Sequence, residues 1–489
     1  MNDLSKKVSS GLIWTYVERL TAQIVTLLVT IILARLIAPE DYGVIAIVTV
    51  FITIVDSFVV SGFGNALIQK KDADQLDFST VFYFSIFFSL IIYFVLFLVA
   101  PIIANYYKIA SLTLIIRIMG LRLPIAAINS VQQAYVSKTM NFRKFFISTI
   151  GGTIFSALAG IGMAVLGCGV WALVVQYLAN VTIGTIVLWF TAGWRPKLMY
   201  SQKRMNQLFS YGWKIMAVGV MTSVYSNMRN LVIGKKYSSE DLAFSTKGEQ
   251  FPSTIAGNIN SSISKVLFPV LSNNQNDIDT MKRITRKSIC VGNYCLLPIL
   301  CGLATIAGTF VSVFLTDKWI ECVPYLQIMC CVYALQPIQT SSLQVVKALG
   351  KGNLYLIIDV IKKSFGVLIL LVSIFCFDSV LIIILGALVT EIFSVLINIP
   401  INKKLLSYTY KEQFIDISRP IILTVIMCLI VSLVGLLNIS IGWLVLILQI
   451  LLGGISYVVL SILTKDPTFK YIISLVKNYI KKDGGEKIE

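Results

Sequence analysis

Residues 78–105 read FSTVFYFSIFFSLIIYFVLFLVAPIIAN and contain no Asp, Glu, Lys or Arg. A helix needs about 20 predominantly apolar residues to cross the hydrocarbon core of a bilayer, and this run is longer than that. The whole chain has the same character, with 57% hydrophobic and 13% charged residues. A soluble globular protein carries about twice as much charge. The sequence therefore predicts an all-α polytopic membrane protein.

Comparable apolar runs recur between charged clusters along the whole chain and predict about 14 transmembrane helices. They are residues 11–37, 42–65, 78–105, 110–134, 145–166, 170–192, 206–234, 241–271, 285–315, 322–349, 353–377, 379–401, 418–437 and 441–463.

The N-terminus and the cysteines add two further expectations. The first ten residues include Lys6 and Lys7 but lack the small-residue cleavage pattern of a secretory signal, so the first helix is expected to stay as an anchor. The nine cysteines lie almost all within predicted spans and show no metal-ligand spacing. We expect no metal and no cofactor, apart from a coupling ion, proton or sodium, if an ion drives transport.

The basic residues indicate an orientation. The formal net charge is +17, yet its distribution fits the rule that Lys and Arg collect on cytoplasmic loops, so nucleic acid is not expected as a partner. Fourteen crossings place most of the basic loop residues, with both termini, on one side. This predicts a multi-pass protein of the bacterial cytoplasmic (inner) membrane with both termini cytoplasmic. The opposite side carries only Arg35, Lys108, Lys235, Lys236 and Lys318.

A shift of 200 residues aligns the chain weakly with itself. Residues 39–43, PEDYG, then match residues 239–243, SEDLA, and helices 1 and 2 fall opposite helices 7 and 8; the alternative is a chance similarity between apolar hairpins. A repeat of six helices implies two parallel lobes. The predicted domains are an N-terminal lobe at 1–200, a C-terminal lobe at 201–405, helices 13 and 14 at 406–464 and a basic cytoplasmic tail at 465–489, either amphipathic on the anionic leaflet or solvated.

Charged residues within the predicted spans are the main candidates for function, because such groups are costly in lipid. Cations outnumber carboxylates there, which predicts a cavity for a phosphate-bearing substrate. The alternative is a set of interhelical salt bridges and snorkelling side chains. The candidate substrate-binding residues are Arg19, Arg117, Arg122, Lys214, Arg229, Lys247, Asn258 and Lys265.

Helix 8 carries the clearest polar pattern. At about 100° per residue, its polar side chains share one face, and we expect that face to line water or substrate, because lipid would leave them unsolvated. Pro124, Pro252 and Pro337 predict weak points in helices 4, 8 and 10. The face of helix 8 comprises Lys247, Thr254, Asn258, Ser261 and Lys265.

The chain contains no histidine, so a coupling ion would have to bind carboxylates. Asp56 and Glu391 are the candidates for ion coupling, and the alternative is that each partners a nearby cation. Glu18 and Glu249 are candidate salt-bridge partners. The Gly350–Lys351 pair lacks the earlier glycine of a phosphate-binding loop, so ATP hydrolysis by this chain is not expected.

A set of short motifs spread over nearly the whole chain resembles the Wzx-type (WzxC-like) oligosaccharide flippases of the multidrug/oligosaccharidyl-lipid/polysaccharide exporter (MOP) superfamily. The motifs are GFGNALIQKKD at 62–72, MNFRK at 140–144, GCGVWALV at 167–174, WRPK at 194–197, ISKVLFPVL at 263–271, and KW at 318–319 with PYLQ at 324–327.

This resemblance implies a transporter that is not an enzyme. It would flip undecaprenyl-diphosphate-linked oligosaccharides from the inner to the outer leaflet by alternating access. The flipped units would be used to assemble a polysaccharide, a capsule or the O-antigen of lipopolysaccharide. The implied partners are the lipid-linked oligosaccharide and membrane lipids, with association with a polysaccharide polymerase and glycosyltransferases as a further expectation. One alternative is an ion-coupled multidrug exporter of the same superfamily, which would need an acidic cavity. Another is a membrane glycan polymerase or ligase, which would need a larger outer loop.

Overall fold

The computed structural model describes residues 21–60, 63–139, 141, 143–435, 441–474 and 477. Within these ranges the chain forms helices joined by short connections, and no strand occurs. A bilayer interior offers no hydrogen-bond partner to the backbone, and a helix satisfies its own N–H and C=O groups. The predicted class, an all-α polytopic membrane protein, is confirmed.

The chain divides into two compact units, Met1–Ala243 and Phe244–Glu489. The first unit contains nine of the described helices and the start of a tenth. They are α1 (Thr21–Leu36), α2 (Pro39–Val60), α3 (Phe63–Gln69), α4 (Gln75–Tyr107), α5 (Leu112–Gly120), α6 (Arg122–Lys138), α7 (Arg143–Val165), α8 (Val170–Ala192), α9 (Gln202–Lys236) and the start of α10 (Ser239–Ser272).

The second unit contains the rest of α10 and the helices that follow it. A 3-10 helix (Asp317–Cys322) precedes its third complete helix. The α-helices are α11 (Ile278–Thr305), α12 (Ala307–Phe314), α13 (Val323–Ala334), α14 (Gln336–Ala348), α15 (Gly352–Cys376), α16 (Val380–Leu406), α17 (Tyr410–Gly435) and α18 (Gly442–Leu463).

Each predicted span coincides with one helix or a pair of helices over its described residues. Nine helical segments in the described ranges, with α5 and α6 counted together as one, are long and apolar enough to cross a membrane. The helices α9, α10 and α15 are also long but carry more polar and charged side chains.

Two predicted spans are broken just ahead of a proline. Span 4 is divided into α5 and α6 ahead of Pro124, and span 10 into α13 and α14 ahead of Pro337. Proline lacks a backbone N–H and clashes with the carbonyl four residues earlier, which interrupts a helix. Pro252 lies inside the unbroken helix α10. The weak points predicted at Pro124 and Pro337 are therefore helix breaks. The weak point predicted at Pro252 is not a break.

The same helix pairings occur inside each unit. In the first unit α4 packs on α5 and α6, while α8 packs on α5, α6 and α7. In the second unit α11 packs on α13 and α14, while α16 packs on α13, α14 and α15. This correspondence supports the repeat. The lobe boundary at residue 200 stays a prediction. Helix α9 was expected to open the second lobe, and in the structure it packs on α2, α3 and α4 in the first unit.

A buried carboxylate joins three elements at the beginning of α4. Asp77 is fully buried and accepts two 2.7 Å hydrogen bonds from Lys70 and bonds of 3.0 and 3.1 Å from Arg204. Asp74 caps the helix by accepting the backbone N–H of Asp77 at 2.9 Å. This bond, with the nearby Arg204 guanidinium, holds the pKa of Asp74 below its usual value. The starts of α4 and α9 and the end of α3 are thereby fixed together.

Helices α7 and α8 form a closely packed hairpin because small residues line the contact. Gly152, Ser156 and Gly160 recur every fourth residue along α7, a spacing that lets membrane helices approach closely. A Cβ atom on Gly152 would lie 2.8 Å from the Asn180 carbonyl oxygen, and one on Gly160 would lie 2.9 Å from Gln176 Cβ. Glycine is therefore required at both positions.

We predict that Gly152→Leu destabilises the protein, because the added side chain has to push α8 away. Overpacking of this kind costs about 1–3 kcal/mol. Gly162→Leu is the matched control on the same helix, since a Cβ at position 162 meets no atom within 4 Å. Thermal unfolding of both purified variants in detergent is the measurement, and equal stability of the two would contradict this packing.

Candidate functional site

The structure places the predicted site residues in several separate environments within the two units. Arg19 and Glu18 lie outside the described residues. Among the others, some are engaged in contacts inside their unit and some are accessible. That distinction decides which of them can meet a substrate.

Asp56 on α2 and Arg122 at the start of α6 form an ion pair. Arg122 Nη2 lies 3.2 Å from Asp56 Oδ2, and the side chains are 29% and 17% exposed. The pair joins two helices of the first unit and neutralises both charges locally. Of the two roles considered for Asp56, the structure shows a partner for a nearby cation.

Arg117 packs against the neighbouring helix α4. Its Nε donates a 3.3 Å hydrogen bond to the carbonyl oxygen of Phe97, and its guanidinium lies 4.0 Å from the centroid of the Phe97 ring. Such a cation–π contact is favourable, more so away from water. Arg117 thus contributes to the packing of α4 on α5.

Helix α9 carries two candidate cations and a link to α2. Lys214 is exposed and Arg229 is half-buried. The hydroxyls of Ser223 and Ser57 hydrogen bond to each other between α9 and α2. Asn227 donates a 2.8 Å bond to the Ser223 carbonyl within α9. The polar side chains predicted on this helix therefore serve partly to hold it on α2.

Lys247 near the start of α10 is buried, contrary to the expectation that it lines an open cavity. Its side chain is 5% exposed, and its ammonium lies 5.2 Å from the ring centroid of the fully buried Trp319. Its neighbour Glu249 accepts a 2.7 Å hydrogen bond from the hydroxyl of Tyr333 on α13. The two residues therefore join the start of α10 to the 3-10 helix and to α13.

The remainder of the polar face of α10 is accessible. Thr254, Asn258 and Lys265 are exposed and Ser261 is half-buried. The polar residues thus share one face of α10 by their spacing, but tertiary packing buries the first of them and leaves the others accessible. Its beginning is covered by Trp319, whereas its middle and end can contact solvent or a ligand.

Glu391 belongs to a polar network in the second unit. Its carboxylate accepts a hydrogen bond from the Gln339 amide of α14. Lys362 of α15 donates at 3.3 Å to Gln339 Oε1 and at 3.0 Å to Asn398 Oδ1. Lys362 is 8% exposed, so the network joins three helices away from solvent.

Sequence analysis did not identify the amides that extend this network. Asn260 of α10 donates at 2.8 Å to Gln336 Oε1 and accepts at 3.2 Å from the Thr340 hydroxyl. Gln336, Gln339 and Thr340 are spaced as one helical face. That spacing was a usable signal in the sequence.

Residues 32–324 match the sequence profile of a family described as polysaccharide biosynthesis protein. The match covers more than half of the 489 residues. The chain belongs to this polysaccharide biosynthesis family. The membership inferred from the short motifs is thereby confirmed.

Named relatives of this family member cover most of its length. The teichuronic acid biosynthesis protein TuaB of Bacillus subtilis (strain 168) is 24% identical over 445 residues, which are 87% of this chain and 89% of the relative. The lipopolysaccharide biosynthesis protein WzxC of Escherichia coli (strain K12) is 23% identical over 342 residues, 68% of each chain.

Solved structures show the same fold. The inward closed conformation of the lipid II flippase MurJ matches with a TM-score of 0.75 at 15% identity, over 93% of this chain and 99% of that one. An inward-facing MATE family transporter of the MOP superfamily matches with a TM-score of 0.62 at 14% identity, over 80% and 96% of the two chains. This member of the polysaccharide biosynthesis family is therefore a multi-pass membrane protein with the MOP fold.

The two lysines of α10 give a direct test of these environments. We predict that Lys247→Glu lowers the amount and the thermal stability of folded protein, because it places a carboxylate against the face of Trp319 in a buried position. Loss of a satisfied buried charge costs about 3 kcal/mol or more. Lys265→Glu, on the exposed part of the same helix, should leave both unchanged. Equal protein levels and melting temperatures of the two variants would contradict the burial of Lys247.

Proposed function

We propose that the chain flips undecaprenyl-diphosphate-linked oligosaccharides from the inner to the outer leaflet of the bacterial cytoplasmic membrane. Membership of the polysaccharide biosynthesis family supports the class of cargo. The structural observation that carries the proposal is that each unit has an exposed lysine within a predicted span, Lys214 on α9 of the first unit and Lys265 on α10 of the second, and neither forms an ion pair with any described carboxylate.

The chemistry of those lysines fits a diphosphate. Asp56 is already neutralised by Arg122, and Asp359 pairs with Lys363 at 2.8 Å. The exposed lysines have no such carboxylate partner among the described residues and are accessible to an external anion. A phosphate contact with an ammonium group is a charge-assisted hydrogen bond, about twice as strong as a neutral one.

The relatives are consistent with a shared transport step. Their names place them in the biosynthesis of different polysaccharides, teichuronic acid and lipopolysaccharide, while the structural neighbour MurJ is a lipid II flippase. A transporter that recognises the diphosphate and the lipid, which these cargoes would share, and is less selective for the glycan could act in the biosynthesis of such different polymers. Alternating access between the two predicted lobes would expose the cations first to one leaflet and then to the other.

Orientation and partners follow from the same proposal. Both termini would be cytoplasmic, as the distribution of basic loop residues indicates. The chain would neither form nor break bonds in the glycan. Glycosyltransferases would therefore supply the cargo, and a polymerase would consume it.

Glu391 is the better candidate for ion coupling. Asp56 forms a direct ion pair with Arg122, whereas Glu391 accepts a hydrogen bond from the uncharged Gln339 amide and Lys362 donates to the other end of that amide. A carboxylate without a direct ion pair can exchange a proton or sodium ion with less loss of internal bonding.

Replacing both exposed lysines, Lys214→Gln and Lys265→Gln, should reduce transport of the diphosphate-linked oligosaccharide at least tenfold in proteoliposomes at normal protein level. Each lost contact to a charged group is worth about 1.5–3 kcal/mol. The matched control is Lys351→Gln with Lys404→Gln, which removes the same charge from exposed positions outside the predicted spans. Normal transport by the first variant would contradict a role of these two lysines in binding the cargo.

Glu391→Gln should change the dependence of transport on pH or on sodium, because it removes the exchangeable carboxylate and keeps the hydrogen-bonding shape. Asp56→Asn should instead lower stability, since it leaves Arg122 without its partner, and should keep the ion dependence. Transport by both variants is measured across imposed proton and sodium gradients. An unchanged ion dependence in Glu391→Gln would assign Glu391 a structural role.

A further inference from the structure

A basic pocket of about 460 Å³ lies in the second unit, at the start of α11. Its walls are the first turns of α11, Asp416 near the start of α17, and Pro467, Thr468 and Tyr471 of the segment 467–474 that follows α18. All three belong to segments predicted on the cytoplasmic side. None of the residues considered for cargo or ion coupling lines it.

The wall formed by residues 467–474 is held firmly in place. The buried Asp466 accepts the backbone N–H groups of Thr468 at 2.8 Å and Phe469 at 3.1 Å. Phe469 and Ile472 pack against the apolar cluster around Tyr294. This part of the predicted tail is therefore docked on the second unit, and the pocket is a built feature.

Two of the four cations on the α11 wall are neutralised by α17. Lys282 lies 2.9 Å from Glu412, and Arg286 forms two bonds to Asp416, at 2.7 and 3.0 Å, and a third to Glu412 at 3.1 Å. These pairs fix the distance between the two helices. They also leave Asp416 unavailable to other cations.

The other two cations, Arg283 and Lys287, are exposed and face the pocket. Within the described part of the chain, neither forms an ion pair with a carboxylate, although Asp279 lines the same pocket. Lys287 lies over Tyr471, 4.5 Å from the ring centroid. The pocket thus presents two accessible positive charges, one of them positioned by an aromatic ring.

The length of α11 indicates the depth of the pocket in the membrane. Its 28 residues extend over about 42 Å at 1.5 Å per residue, whereas the hydrocarbon core is about 30 Å thick. The excess of about 12 Å corresponds to about eight residues, so the beginning of α11 can extend beyond the hydrocarbon, and the long side chains of Arg286 and Lys287 can reach the headgroup level from its edge. Val291, one turn after Lys287, adds an apolar surface at the deeper edge of the pocket.

We propose that this pocket binds the phosphate group of an anionic lipid, held by Arg283 and Lys287. Basic pockets between membrane helices on the cytoplasmic side are suited to such headgroups. The phosphate can come from a phospholipid of the leaflet or from a prenyl diphosphate. The proposal does not depend on transport, because neither Lys214 nor Lys265 lines this pocket.

The test measures lipid binding to the purified full chain by native mass spectrometry, with phosphatidylglycerol, phosphatidylcholine of the same acyl chains, and undecaprenyl diphosphate as probes. Replacing both cations, Arg283→Gln with Lys287→Gln, should weaken binding of an anionic probe at least tenfold, the factor that about 1.4 kcal/mol represents. The charge-conserving exchange Arg283→Lys with Lys287→Arg should retain most of the binding and shows that the region still folds.

The matched control is Lys403→Gln with Lys404→Gln, which removes two exposed cations, one of them 4.4 Å from the Tyr410 ring centroid, from outside the pocket. It should bind as the unaltered protein does. A loss confined to phosphatidylglycerol identifies a phospholipid site, and a loss that includes undecaprenyl diphosphate identifies a site open to the cargo headgroup. Unchanged binding of both anionic probes, or equal binding of phosphatidylglycerol and phosphatidylcholine, would overturn the proposal.

Discussion

The hydrocarbon interior of a bilayer supplies no hydrogen-bond partner, so a polar group there has to find one within the protein or face a water-filled space. The backbone meets this constraint by forming helices. The side chains meet it by pairing across helices, as Asp56 does with Arg122 and Ser57 with Ser223. Glu391 meets it through an amide of a neighbouring helix. These contacts fix how the helices of each unit are rotated about their axes.

The accessible polar groups within the predicted spans differ from these paired groups, because they can contact water or a polar ligand. Lys214, Asn258 and Lys265 are exposed within the predicted spans of α9 and α10. A protein under this constraint keeps such groups only where water or a polar ligand reaches them. The close packing of α7 on α8 makes one hairpin of the first unit stiff, and the breaks ahead of Pro124 and Pro337 interrupt one predicted span in each unit.

Hydropathy predicted the helices well, because the cost of placing charge in lipid is large and depends on local sequence. The motifs also predicted the family. Side-chain partners were harder, since they depend on neighbours far away in the chain. Lys247 and Lys265 share a face of α10, yet Trp319, more than 50 residues after Lys265, covers only the first of them. The docking of residues 467–474 likewise depends on Asp466 and on an apolar cluster formed by other helices. No pattern within α10 or within the tail contains that information.

Under the proposed function, accessible cations within the predicted spans would bind the cargo through its diphosphate. The most direct measurement compares, in proteoliposomes containing the purified chain, the transfer to the opposite leaflet of one oligosaccharide carried on undecaprenyl diphosphate or on the uncharged undecaprenyl alcohol. We expect the diphosphate-linked oligosaccharide to be transferred and the uncharged lipid to be transferred only at the rate seen in protein-free vesicles. Equal transfer of both lipids would show that the protein does not recognise the charge.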